Sequence, residues 1–275
     1  MNNNDPILHL SELLPKVIKL AYEAGDKIMK IRQQASYDVE KKQDDSPVTE
    51  ADYASHNHII KGLNDLPQDW PVLSEEDPDI TFDMRQQWST YWLIDPLDGT
   101  RDFIAGRETF SVNIALIHNH QPILGVIQLP VTGECFSAAY NFGARKQLLD
   151  QEPKAIQVAQ LGSRPPVISV SGARKNDRLK NLLASIGHHE LIYIGSSIKS
   201  CRVAEGEVDF YPCLGPTSEW DTAAAQCIVE QAGGYFTDVK GEKLRYNERP
   251  TLLNPWFMVY GDNSHDWYQH IPKED

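Results

Sequence analysis

The longest periodic pattern lies near the N-terminus. Leu10, Leu13, Leu14, Val17, Ile18, Ala21, Ile28 and Ile31 recur at intervals of three and four, which predicts an amphipathic helix over residues 11–31. Pro15 falls inside that span and is tolerable only near a first turn, where a missing N–H is cheap. Residues 33–46 are polar and predict a loop or a short irregular strand. Thr49 followed by Asp52 has the spacing of a helix cap and predicts a second helix to about residue 63.

Two short apolar runs follow, at residues 70–73 and 91–94, and each ends in acid: Glu75, Glu76 and Asp77 after the first, Asp95 after the second. Residues 112–117, 123–129 and 134–139 are rich in strand formers, with Asn119, Pro122, Pro130 and Gly133 between them. They predict an antiparallel meander. Residues 145–160 are mostly polar. Beyond them, strands at 167–170, 191–194, 208–211 and 235–237 alternate with helices at 175–186, 198–205 and 221–232. That alternation predicts a partly parallel sheet with helical crossovers. The fold class is therefore an α+β N-terminal half and an α/β C-terminal half, as domains over 1–150 and 151–275, with no internal repeat.

Composition narrows the picture. A length of 275 residues lies between one large domain and two ordinary ones. With 41% hydrophobic residues and 17 glycines, the chain can build a substantial core. The 26 basic and 39 acidic residues leave a net charge of −13, which disfavours a nucleic-acid polymer as partner. A phosphate substrate would need cations at the site to neutralise it. Cys135, Cys201, Cys213 and Cys227 form no C-x-x-C pair, so zinc and redox motifs are unsupported. The N-terminus lacks the basic and apolar regions of a signal peptide. No apolar run approaches the roughly 18 residues of a membrane span, so no integral membrane segment is expected. These features predict a cytoplasmic protein. A peripheral contact with the cytoplasmic face of the inner membrane stays open, although the net charge argues against a polybasic attachment. Oligomeric state is not legible.

The chemistry concentrates in Asp95-Pro96-Leu97-Asp98-Gly99-Thr100. A strand delivers Asp95 at its end, Pro96 is expected to stop the ladder, and Asp98-Gly99 marks a tight turn. Two carboxylates three apart across a rigid turn can share one small space, where a cation would relieve their repulsion. Oxygen-only ligands suit Mg²⁺ or Mn²⁺. Taken alone, this segment reads equally well as a surface turn. Ser74-Glu75-Glu76-Asp77 reads alone as an acidic loop, and Asp221 in Glu219-Trp220-Asp221-Thr222 and Asp52 read alone as helix-start acids. Together, four acidic positions at element ends could build a polynuclear metal site. Ser196 and Ser197 follow a predicted strand and precede a predicted helix, where they either cap the helix or hold a ligand with Lys199. No G-x-S-x-G elbow or zinc-protease histidine pair occurs.

Asp95 to Thr100, Trp220 to Ala225 downstream and Leu73 to Glu76 upstream resemble the inositol monophosphatase superfamily of magnesium-dependent, lithium-sensitive phosphatases. The resemblance runs from about residue 10 to 262. Ser46 to Asp52, Gly195 to Lys199, Val203 to Gly206 and Tyr211 to Thr217 are similar to the bacterial 3'(2'),5'-bisphosphate nucleotidases of the CysQ type within it. The resemblance implies a layered αβαβα sandwich. It implies that Glu75, Asp95 and the Leu97 carbonyl hold one Mg²⁺, that Asp95, Asp98 and Asp221 hold a second, and that Glu75, with Asp52, holds a weaker third. Thr100 and Asp52 would take a proton from the attacking water, and the Gly99 and Thr100 N–H groups would bind phosphate. Ser196, Ser197 and Lys199 would contact the nucleotide. The implied reaction removes the 3'-phosphate of adenosine 3',5'-bisphosphate, and acts on its sulfated analogue, in sulfur assimilation and nucleotide recycling. Arg101 and Asp102 depart from the Lys-Glu usual in that pattern. An inositol or sugar phosphatase of the same superfamily is the alternative, and a non-catalytic nucleotide sensor a lesser one. A haloacid-dehalogenase-type phosphatase needs D-x-D-x-T, whereas this chain has D-x-x-D-G-T.

Overall fold

A computed structural model describes residues 5–34, 36, 38–41, 47–77, 80–171 and 177–272. Residues 35, 37 and 42–46 of the predicted 33–46 loop, and residues 175–176 of the predicted 175–186 helix, lie outside them.

The first helix spans Leu10–Arg32 and follows a 3₁₀ turn, Pro6–His9. It starts one residue before the predicted bound, and Pro15 lies inside it, past the first turn. The second, Glu50–Asn64, is closed by a capping box in which Thr49 and Asp52 exchange bonds. Both helices cover one face of a seven-stranded sheet. Its strands run, in spatial order, Val72–Ser74, Thr90–Asp98, Ser111–His118, Gln121–Gln128, Glu134–Ala139, Gly143–Leu148 and Lys154–Ile156. Only the first pair is parallel. The last two strands come from the stretch that sequence reads as polar. They extend the meander as an edge with exposed side chains, so no apolar alternation marks them.

Pro96 does not end its strand. The pairing with Ser111–His118 skips from Asp95 to Asp98, because an irregularity absorbs the missing donor. Both acids thus sit on one strand end.

The second sheet has five strands, in the order Glu190–Tyr193, Val167–Val170, Phe210–Cys213, Phe257–Tyr260 and Tyr235–Asp238. Val167–Val170 runs parallel to both neighbours, as the alternating pattern predicts, and the other pairs are antiparallel. Phe257–Tyr260 was not predicted. It is a short, fully buried apolar run, which carries no period to read.

Helices Ile198–Ala204 and Glu219–Gln231 fill the space between the sheets. Asp177–Ile186 and the 3₁₀ turn Trp267–His270 cover the far face of the second sheet. The result is the five-layer αβαβα sandwich. Its helix Glu219–Gln231 packs against both sheets, which brings residues from the two halves of the chain to one seam. No helix among the described residues is long and apolar enough to cross a membrane.

Candidate active site

Three chain segments converge on the end of strand Thr90–Asp98. Its parallel neighbour Val72–Ser74 stops one residue before Glu75, whose N–H donates to the Ile94 carbonyl at 3.2 Å. That bond sets Glu75 beside Asp95. Asp221 comes from the first turn of helix Glu219–Gln231, where its Oδ2 accepts the Ser218 N–H at 2.8 Å. Glu75, Asp95 and Asp221 each bring a carboxylate oxygen within 4.8 Å of the other two.

Asp95 is 1% exposed. Burial, then the charges of Glu75, Asp98, Asp221 and Glu76, push its carboxyl well above the usual carboxylate range. Burial, Asp98 and Glu75 push Asp221 the same way, against the Ser218 N–H bond. The strongest charges acting on Asp95 are all negative. A buried, oxygen-only, mutually repelling set of carboxylates fits a hard divalent cation. Leu97 completes the turn: its N–H donates to Asp95 Oδ1 at 3.0 Å, and its carbonyl accepts from Thr100 Oγ1 at 3.2 Å.

Asp98 is held differently. Its Oδ2 accepts the Ser197 N–H at 2.6 Å and the Ser197 hydroxyl at 2.7 Å. Asn113 Nδ2 lies 3.4 Å from the same oxygen and 2.8 Å from Ser197 Oγ. Asn113 faces Asp95 in strand register, so sheet pairing puts it there. No sequence motif singles it out.

Gly99 turns the chain at φ +99°, and a side chain there would strike the Thr109 carbonyl, 2.8 Å from the Cβ position. The turn carries Thr100 towards helix Glu50–Asn64. Thr100 Oγ1 donates to Asp52 Oδ1 at 3.0 Å. Asp52 is buried, and its Oδ2 accepts the Thr49 N–H at 2.8 Å and the Thr49 hydroxyl at 2.6 Å. Thr49, legible only as a cap, therefore also orients Asp52.

The segment from Gly195 to Lys199 forms the opposite wall. Ser196 adopts φ +50°, a left-handed conformation that a serine adopts only at some cost. Ser197 precedes helix Ile198–Ala204 without capping it through its side chain. Its hydroxyl is turned inward to Asp98 and to the Asp221 carbonyl, 2.8 Å away. Lys199 is 3% exposed. Its ammonium donates to the Ser196 carbonyl at 2.6 Å and lies 4.9 Å from the centre of the Tyr211 ring. Burial holds its pKa below the ordinary lysine value.

These features are those of a known family, whose model (the inositol monophosphatase family) matches residues 9–267. The chain belongs to the inositol monophosphatase family. Within this family it is 45% identical to the 3'(2'),5'-bisphosphate nucleotidase CysQ of Salmonella typhimurium over 254 residues, which is 90% of this chain and 99% of that protein. It is 40% identical to the CysQ nucleotidase of Haemophilus influenzae, over 95% of this chain and 97% of that one. The crystal structure of CysQ from Bacteroides thetaiotaomicron superimposes with a TM-score of 0.82 at 37% identity, covering 93% of this chain and 99% of that one. An inositol monophosphatase from Thermotoga maritima superimposes at 0.77 with 26% identity, covering 92% and 94%.

The member's departures from the CysQ-type pattern have a visible setting. Asp102 accepts from Thr109 Oγ1 at 2.5 Å and pairs with Arg107 at 2.8 Å. Gly195 packs against this pair, and a Cβ on it would lie 2.8 Å from Thr109 Oγ1. Asp102 thus joins the turn after Gly99 to the turn before Ser196, while the Arg101 side chain is exposed.

Proposed function

We propose that the enzyme is a magnesium-dependent 3'(2'),5'-bisphosphate nucleotidase. It hydrolyses adenosine 3',5'-bisphosphate to AMP and phosphate, and takes the sulfated analogue as a second substrate. The observation that carries this reading is the convergence of Glu75, Asp95 and Asp221 from three segments, in a chain that is 45% identical to a CysQ nucleotidase over nearly the whole of that protein.

Glu75, Asp95 and the Leu97 carbonyl would hold one Mg²⁺; Asp95, Asp98 and Asp221 a second; Glu75 with Asp52 a weaker third, with Mn²⁺ as a substitute. When bound, such ions polarise a phosphoryl oxygen, lower the pKa of a water and stabilise a leaving alkoxide. The chain's own residues do the rest. The Thr100 hydroxyl donates to Asp52 and so presents a lone pair to the attacking water, relaying its proton towards the carboxylate. The Gly99 and Thr100 N–H groups face the phosphate, beside Glu75, Leu97, Asp98 and Asp221. Water attacks phosphorus in line, and the bond to the ribose 3'-oxygen breaks. Positioning and electrostatics dominate such a loose transition state. Ser197 fixes the Asp98 carboxylate, and Ser196 with the Lys199 ammonium behind it forms the positively charged wall against the nucleotide.

Phosphate release from adenosine 3',5'-bisphosphate, inositol 1-phosphate and fructose 1,6-bisphosphate tests this, each with Mg²⁺, with chelator and with Li⁺. Release from the nucleotide alone, dependent on Mg²⁺ and inhibited by Li⁺, is the expected result. Preference for a sugar phosphate would keep the metal site and overturn the substrate. Tight nucleotide binding without release would favour a sensor.

A further inference from the structure

Arg85 is not part of the catalytic machinery, yet it is 1% exposed. It lies on the connection between strands Val72–Ser74 and Thr90–Asp98, hence between Glu75 and Asp95 in the chain. Its Nη1 donates to Asn247 Oδ1 at 2.5 Å, and its Nη2 to the carbonyls of Arg249 at 3.0 Å and Pro250 at 2.6 Å. Asn247 Nδ2 returns a bond to the Arg85 carbonyl at 2.5 Å. The guanidinium also rests 4.9 Å from the centre of the Phe82 ring.

The segment so held, residues 246–254, is what grips the start of the helix that carries Asp221. The Asn247 N–H donates to Glu219 Oε2 at 2.9 Å, and the Glu219 N–H donates to the Leu252 carbonyl at 2.8 Å. Asn254 Nδ2 donates to the Ser218 carbonyl at 2.7 Å and lies 3.0 Å from Thr222 Oγ1. Ser218 is the residue whose N–H fixes Asp221. Hydrogen bonds thus run from Arg85 through Asn247 to Glu219, and the backbone leads on from Glu219 to Ser218, whose N–H holds Asp221.

This knot is a poor way to gain stability. Arg85 and Glu219 are both buried ionisable groups, and Arg85 Nε, Tyr91 OH and Glu219 Oε1 are buried without a protein hydrogen-bond partner among the described residues. Apolar side chains of the same volume would be cheaper to bury. What hydrogen bonds supply and apolar contacts do not is fixed angle and distance. A metal site needs its ligands held to about 0.5 Å, and Asp221 reaches Glu75 and Asp95 from a separate part of the chain.

We propose that Arg85 is a positioning residue for cation binding. Through Asn247 and Glu219 it sets Asp221 against Glu75 and Asp95, and the site loses affinity when that link is cut. The proposal rests on the metal reading of the site. The probe is Mn²⁺ binding to the full chain by titration calorimetry, with melting temperature and circular dichroism as checks on folding. Arg85→Met keeps much of the side chain's length and removes every donor; binding is expected to weaken by up to about 10-fold, the lower end of what losing a bond made directly to a metal ligand costs. Arg85→Lys, which keeps the charge and loses the fork, is expected to weaken it nearly as much. Asn247→Gly keeps the left-handed backbone at φ +61° and the N–H to Glu219, removes both side-chain bonds to Arg85, and carries the test if Arg85→Met fails to fold. Phe210→Leu, in the outer core where Phe210 stacks on Trp267, supplies a destabilised control.

Parent binding that Asp95→Asn abolishes secures the metal reading. Unchanged affinity in Arg85→Met or Asn247→Gly, full affinity in Arg85→Lys, or equal weakening in Phe210→Leu overturns the positioning role alone. No Mn²⁺ binding by the parent overturns both.

Discussion

Thr100 Oγ1 donates to Asp52 Oδ1 at 3.0 Å across 48 residues of chain, while Thr49 supplies both bonds to the other oxygen of Asp52. The carboxylate therefore cannot rotate away from Thr100. Thr100→Val should lower kcat by about 10²–10⁴-fold, the range of a positioned acid–base contribution, while Thr100→Ser keeps most of it. Mn²⁺ affinity measured on the same proteins should be unchanged. A parallel loss of Mn²⁺ affinity would mean that Thr100 acts on the ligand set instead.

Asp95 is costly to the metal-free protein, because burial and neighbouring carboxylates both oppose its charge. Asp95→Asn should abolish activity and yet raise the melting temperature in chelator. Added Mg²⁺ should then stabilise only the parent. A variant that melts lower in chelator would show that the carboxylate is compensated without a cation.

The same shifts set a pH dependence. Asp95 and Asp221 have raised values in the folded, metal-free protein, against about 4 for an unfolded aspartate. Their contribution to stability is complete below about pH 4 and is lost as pH rises through the raised values. Melting temperature in chelator should therefore fall as pH rises above about 4, and Mg²⁺ should flatten the fall by taking the place of the protons. Equal slopes with and without Mg²⁺ would refute it.

Gly195 has no room for a side chain against Thr109. Gly195→Ala should displace the turn that carries Ser196 and Lys199, at about 1–3 kcal/mol of stability. Its KM for the nucleotide bisphosphate should rise more than its kcat falls. A KM unchanged in the folded variant would remove this turn from substrate binding.

Away from the site, Glu134 joins Lys146 at 2.5 Å and Arg202 at 2.7 Å, and these partners hold its carboxyl down at about 2. A depressed value contributes stability above the unfolded range near 4.3 and loses it as pH falls through about 2. Glu134→Gln should cost about 2 kcal/mol at pH 7, roughly 4–8 °C, and the gap should narrow below about pH 4.5. Urea unfolding at pH 7, 5 and 4 checks it.

Local sequence determined most of the elements and nearly all of the acids. Period-three-and-four spacing located the Leu10–Arg32 helix, runs of strand formers between turn residues located the strands of the meander, and Thr49 with Asp52 marked a cap. These signals are local, so they can be read from neighbouring residues alone. Asp95, Asp98, Glu75 and Asp221 were legible as acids at element ends, each with an ordinary structural explanation. Their meeting was legible as a possibility and through the family resemblance, while the geometry that brings them together depends on a parallel strand pair beside Asp95 and on a helix from the other half of the chain. Tertiary structure alone decided three further things. Pro96 is passed by an irregularity because the strand is paired beyond it. Asn113 and Ser197 hold Asp98 because register and a returning turn put them there. Arg85 is drawn into the interior because Asn247 and the carbonyls of Arg249 and Pro250, about 160 residues away in the chain, satisfy its charge. Hydrogen bonds between distant segments leave no period and no motif, and it is these bonds that turn a set of acidic residues into a site.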